Sequence, residues 1–445
     1  MTPELLAATG ARYSRNNEGL DSILAKIDPA NPDKSVDSIF RMVDYGHQSI
    51  ADMAPVAIFI DGVSVWLAYF IWSICPTASG QESSTRYIRL NSDGVLDPAD
   101  AGIPVDARAA WQHNLESAFS AYSRALNFWE AAASRDPQIV AIPESILNDE
   151  SEKGKRKIAR MRRNFAFDRA RYFLPAAAKT NVMLLMSARS WVQLCQMLLS
   201  HYLCEARRLG SLLREELEMW VPRLTKHASE IRSISLGLRD EYDSCMQSAR
   251  SLKFCDAGDI VENTAKAFLE IHPPAGVTDS DIGRALEGHN NIYAWMGSPL
   301  RRTLVRFGWD AVSFAEIRDL NRHRTGTKTC QFIPRGFYAA AGELNPSLDK
   351  DEYDKLGRTG AALTYDSLAR LQADDPAYVY WCLLGSQMSF EHATTGDKFV
   401  YEAELRTGAG AHFRYAQHLR DVLALWYARF PSTKGSILEG ANEPE

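Results

Sequence analysis

The longest apolar run, Ala54 to Cys75, is interrupted in its middle by Asp61-Gly62. Before the break, Val56-Ala57-Ile58-Phe59-Ile60 reads as a buried strand. After it, Val63-Ser64-Val65-Trp66-Leu67-Ala68-Tyr69-Phe70 reads as a buried helix, the two joined by a tight turn. The run is long enough to cross a bilayer, but the Asp-Gly break favours the folded strand–turn–helix. Upstream, helical segments fill residues 1–50, with Gly46 as a helix stop and His47 just past it. Downstream, residues 104–136 place Trp, Leu, Phe and Tyr on one helical face, and a helical tract rich in Leu, Met and Trp runs to about residue 245. That tract is expected to be core and subunit interface.

From about residue 255 the pattern begins again. Gly288-His289 and the residues around it echo Gly46-His47-Gln48-Ser49-Ile50, and Leu304 to Val312 echoes the strand and turn around Asp61. A helix-like run, Asp310 to Leu320, leads into Arg322-His323-Arg324, where the first half has only Ile74-Cys75-Pro76. A final helical region is expected from Ser389 to Trp426. The chain therefore reads as an α+β protein of two similar halves, residues 1–250 and 251–445, each a normal domain size.

The net charge of −6 argues against a nucleic-acid coat, so any cationic site must be local. One such stretch is Lys153 to Arg163, either a solvated helix face or a patch for a folate or nucleotide tail. Seven Cys show neither a CxxC pair nor zinc-type spacing, so no metal is expected. They read as reduced thiols, mostly core, in a cytoplasmic protein. Met1-Thr2-Pro3-Glu4 does not open a basic-then-apolar leader, so no signal peptide is expected.

Four short stretches carry candidate chemistry: Glu82-Ser83-Ser84-Thr85-Arg86-Tyr87, Ala170-Arg171-Tyr172-Phe173-Leu174-Pro175, Arg322-His323-Arg324, and Leu405-Arg406. Alone, an Arg-His-Arg triplet reads as a solvated turn. The order of all four, with Gly-His ahead of the apolar strand, resembles the flavin-dependent thymidylate synthases. The resemblance implies two synthase-like subunits fused in tandem, each a small, mainly antiparallel sheet packed with long helices. The halves have lost complementary parts. The first keeps Glu82, Ser84, Arg86 and Arg171 but carries Leu198 where the late Arg belongs. The second keeps Arg322-His323-Arg324 and Arg406 but blurs the Glu-x-Ser-x-Arg loop into Gln331 to Arg335. A shared site, with one side from each half, is the expectation.

The resemblance assigns Ser84, Arg86, Arg171 and Arg406 to a pyrimidine nucleotide monophosphate, with Glu82 shaping the loop. Arg322 bridges nucleotide and flavin, His323 and Arg324 contact the flavin, and His47 or His289 lies near its ring system. Ser84 and Arg322 are the candidate catalytic residues. Guanidinium forks suit a phosphate, though Arg86 and Arg171 also read as surface ion pairs and the two His as core or capping residues. The implied reaction methylates C5 of dUMP, with FAD as cofactor and methylenetetrahydrofolate and NADPH as cosubstrates. The implied assembly is a homodimer forming a pseudo-tetramer. Asp319 stands where the family has Gln. Either it pairs with Arg318 or Arg322, or it changes the nucleotide accepted, since a carboxylate only accepts hydrogen bonds. The alternatives are methyl or hydroxymethyl transfer to UMP or a cytosine nucleotide, and a catalytically inactive nucleotide-binding homologue.

Overall fold

The computed structural model describes residues 1–44, 47–75, 77–344, 348–408 and 410–440. Gly46, Pro76 and Ala409 lie outside the described residues. The chain forms two compact units. The first comprises Met1–Ser83, Leu96–Ile103 and Lys179–Ser244; the second comprises Ser84–Val95, Pro104–Ala178 and Cys245–Glu445.

The first unit holds a three-stranded antiparallel sheet of β1 (Pro55–Ser64), β2 (Ser79–Glu82) and β3 (Lys179–Ser187), in the order β1-β3-β2. The second holds β4 (Ala267–His272), β5 (Leu304–Ser313), β6 (Thr327–Phe337) and β7 (Ser386–Thr395), in the order β4-β5-β7-β6. Apart from β4, the second order repeats the first. Helices Val65–Ile74 and Phe314–Asn321 follow β1 and β5, and helices Ala188–Leu199 and Gly396–Thr407 follow β3 and β7. Even the irregularities correspond: the β1–β3 register shifts between Ile60 and Val63, and the β5–β7 register between Trp309 and Val312. The fold is thus α+β with two small antiparallel sheets, as the repeat predicts.

Three local expectations change. Asp61-Gly62 is a bulge inside a continuous strand and not a turn: Gly62 takes φ +72°, its N–H donates to Asn181 Oδ1 at 2.9 Å, and the strand runs on to Ser64. The helix starts only at Val65, where Ser64 Oγ caps Leu67 N at 2.9 Å and donates to buried Glu205 at 2.7 Å. Likewise Asp310–Ser313 belongs to β5, and the helix begins at Phe314. The central strands β3 and β7 lie inside tracts expected to be helical. In β3, Thr180, Val182, Leu184 and Met186 point inward at the strand period of two. Finally, Cys75, Cys195 and Cys382 are buried, whereas Cys204 and Cys255 are exposed, so the thiols are not mostly core.

The helix expected over 104–136 is Arg108–Arg135, and it buries Trp111, Leu115, Phe119, Tyr122 and Trp129. No described helix is long and apolar enough to cross a membrane.

Candidate active site

The second unit assembles the charged residues of both halves. Helix Glu152–Ala170 ends in the short turn Arg171–Phe173, and backbone bonds fasten residues 174–176 to the segment before β7. Leu384 N donates to Leu174 O and Ala176 N to Cys382 O, each at 2.8 Å. That same segment receives the start of helix Phe314–Asn321, through Ala315 N to Leu384 O at 2.8 Å. Arg171 is thereby placed against Glu316 and Asp319, which share one face of that helix at a spacing of three.

Arg171 is 1% exposed. Its Nη1 donates to Asp319 Oδ2 at 2.9 Å, and its Nη2 lies 3.8 Å from Glu316 Oε1. Tyr172 Oη donates to the same Glu316 oxygen at 2.7 Å, and Ser313 Oγ donates to the other. Burial would raise the Asp319 pKa, but Arg171, then Arg86 and Arg406, outweigh it and hold the carboxyl well below the usual range. For Glu316 burial wins and the pKa rises, opposed by Arg171. Asp319 therefore takes a partner 148 residues upstream, where the sequence suggested Arg318 or Arg322.

Arg86 forms a fork on Asp168, with Nε to Oδ1 at 2.7 Å and Nη2 to Oδ2 at 3.0 Å, and also donates to Gly410 O at 3.3 Å. Its own N–H donates to Ser84 Oγ at 3.2 Å. His412 caps helix Phe413–Arg429 by accepting Arg414 N at Nδ1, and its Nε2 faces Asp168 O at 3.2 Å. Burial, with Arg171 and Arg86 nearby, pushes its pKa well below the ordinary value, so it is a neutral spacer beneath two cations.

Arg406 joins the cluster to the Arg-His-Arg turn. Its Nη2 donates to Asp319 O at 2.8 Å and its Nε to His323 Nε2 at 3.0 Å. His323 accepts there, and burial pushes its ring down to about 3 against the pull of Glu402. Arg322 is half-buried and Arg324 exposed, both just past the helix end. A cavity of about 640 Å³ lies alongside, walled by Tyr293, Trp295 and Tyr401 with Arg301, Arg302 and Lys398. Tyr401 meets His323 edge-on at 6.3 Å.

Ser84, Arg86, Arg171, Asp319, His323 and Arg406 are thus brought together. Glu82, at the end of β2, and exposed His47 belong to the first unit. His289 is buried against Glu404, with Nε2 to Oε1 at 2.7 Å, the core role the sequence left open. In the first unit, the positions corresponding to the second half's cations carry buried Cys75 and Leu198. The basic run Lys153–Arg163 sits on helix Glu152–Ala170 and is largely exposed. Asp168, Glu316, His392, Glu402 and His412 were not singled out from sequence. Asp168 three residues before Arg171, and Glu402 four before Arg406, were the available signals. Among the described residues no cluster suits a metal ion.

Comparison with known proteins gives the family. A UPF0159 protein of Thermoplasma acidophilum is 28% identical over 243 residues, and the chain spans about half of that relative, 49% of its length, with 50% of its own. A UPF0159 protein of Chlamydia pneumoniae is 23% identical over 434 residues, covering 85% of this chain and 79% of the relative. One from Chlamydia muridarum is 24% identical over 477 residues, covering 94% and 87%. Residues 1–223 match the family model described as thymidylate synthase complementing protein. The chain belongs to that family, the flavin-dependent thymidylate synthases.

Proposed function

We propose that the protein binds FAD and a pyrimidine nucleotide monophosphate and transfers a one-carbon unit to C5 of the base, with dUMP as substrate and methylenetetrahydrofolate and NADPH as cosubstrates. The observation that carries this reading is Arg171. It is almost fully buried, yet its Nε and Nη2 meet no hydrogen-bond acceptor. Leaving a buried donor unmatched costs about 1–3 kcal/mol, and an oxygen-rich ligand beside Asp319 would remove that cost. Arg86 and Arg406 converge on the same place, so a phosphate would find three guanidinium groups there. Asp168 and Asp319 hold Arg86 and Arg171 in position.

The cavity beside His323 suits a flavin. Tyr293, Trp295 and Tyr401 offer flat faces to a ring system, and Arg301, Arg302 and Lys398 offer charge to its phosphates. When bound, the flavin supplies the hydride chemistry. The protein orients the nucleotide through Ser84, Arg86, Arg171 and Arg406, and Arg322, the candidate catalytic cation, stabilises negative charge developing on the pyrimidine. Arg322, just past the helix end, takes the bridging role between nucleotide and flavin in this reading. One site forms per chain, and two chains associate as a dimer of tandem synthases.

Asp319 supports a second reading. There the carboxylate, standing where the family has Gln, reads the base in place of pairing with Arg171 beside the phosphate; it favours an amino group over a carbonyl, so a cytosine nucleotide is the alternative substrate. The visible absorption spectrum of the purified protein, titrated with dUMP and then with dCMP, tests both. A flavin band perturbed by dUMP is the expected result. A band shifted only by dCMP would replace dUMP with a cytosine nucleotide. No flavin band after incubation with excess FAD would overturn the enzyme reading.

A further inference from the structure

Behind the Arg-His-Arg turn lies a second buried group that the proposed chemistry does not use. Glu402 is fully buried on helix Gly396–Thr407, one turn before Arg406, so the two side chains share a face and reach His323 together. Arg406 Nε donates to His323 Nε2 at 3.0 Å, while Glu402 Oε2 stands 3.9 Å from His323 Nδ1. The same Glu402 oxygen lies 2.8 Å from His392 Nδ1, and His392 Nε2 meets Thr325 O at 2.6 Å. Lys328 Nζ donates to the carbonyls of His323 and Thr325. The turn is therefore gripped at two carbonyls, and its imidazole is held between a cation and an anion.

This arrangement favours the charged carboxylate. Neither Glu402 oxygen meets an aligned hydrogen-bond donor, yet His323, His392 and Lys328 outweigh burial and hold its pKa down at about 2. The folded chain therefore gains from the charge, and a neutral isostere at this position loses that gain.

We infer that Glu402, supported by His392, is a positioning residue: it holds His323 in the Nδ1–H form, leaving the Nε2 lone pair to fix Arg406 between the nucleotide cluster and the flavin cavity. Without the carboxylate, a proton on Nε2 would face the Arg406 N–H, and both side chains would lose their place. The inference rests on the proposed flavin site for its consequence, but not for its chemistry.

The test is Glu402→Gln in the full chain, read three ways. Nitrogen-15 NMR of His323 should show the Nδ1–H tautomer in the wild type and a mixture in the variant. FAD affinity, followed by flavin fluorescence, should fall about tenfold, the equivalent of 1.4 kcal/mol. The melting temperature should fall, because the variant lacks the charge that the fold favours. An unchanged tautomer would overturn the inference whatever the flavin does. So would an FAD affinity that does not change. If the wild type binds no FAD, the flavin reading fails on its own and the tautomer still decides the role of Glu402.

Discussion

Arg171 shows how unevenly a single side chain can be satisfied. One of its nitrogens is bound by Asp319, one stands off from Glu316, and its Nε has no acceptor. Removing the guanidinium leaves Asp319 without its charge partner and Glu316 buried beside the gap. Arg171→Met should therefore destabilise the protein by about 3–5 kcal/mol, the range for breaking a buried pair by deleting one partner. Asp319→Asn, which keeps the shape and removes one charge, should cost clearly less. Urea unfolding of both variants checks the order, and Asn costing as much as Met would show that the pair is not the source of the effect. Arg171 was visible in its motif, but its partner was not, because Asp319 is distant in sequence and nothing local marks it.

Helices and strands set where these side chains arrive. Gly326 ends the Arg-His-Arg turn at φ +69°, and a Cβ there would sit 2.0 Å from Ala393 O on β7. Backbone must move to make room, and the residue is strained besides. Gly326→Ala should lose at least about 2 kcal/mol by these effects and weaken FAD binding, while Gly62→Ala, in the bulge of β1 with only Lys179 Cδ nearby at 3.9 Å, should lose about 1 kcal/mol and leave FAD affinity unchanged. Thermal melts with a parallel FAD titration separate the two. The missed strands belong to this scale. β7 alternates Met388, Phe390 and His392 inward with Ser389, Glu391 and Ala393 between them, residues that helices accept as readily. Its strand character comes from β5 and β6 on either side.

Across the whole molecule, buried imidazoles set the response to acid. His201, His323 and His418 are each pushed down to about 3 by burial, and His412 well below its ordinary value. Between about pH 6.5 and 3 the unfolded chain takes up protons that the folded chain refuses, so stability falls as pH falls, by up to about 1.4 kcal/mol per pH unit for each His. Glu402, held at about 2 against 4.5, acts in the same direction: its stabilisation is present above about 4.5 and is lost as pH falls towards 2. Urea midpoints should therefore decline from pH 6.5 and more steeply below 4.5. His418→Met should flatten the upper part of that slope by about one proton, provided the variant folds. A flat response down to pH 5 would contradict the buried neutral state of these rings.

The residue pattern determined the fold class and the repeat, because apolar periodicity is a local property of the chain, while the resemblance of its motifs to a family supplied the short list of arginines and histidines. It also marked the complementary losses, since an absent Arg is as readable as a present one. What only the tertiary structure decided is pairing. Arg86 on Asp168, Arg171 on Asp319 and Arg406 on His323 depend on strand order and on the turn at Arg171 docking beside β7. A carboxylate finds its guanidinium through space, and sequence separations of 82 to 148 residues carry no local trace of that distance.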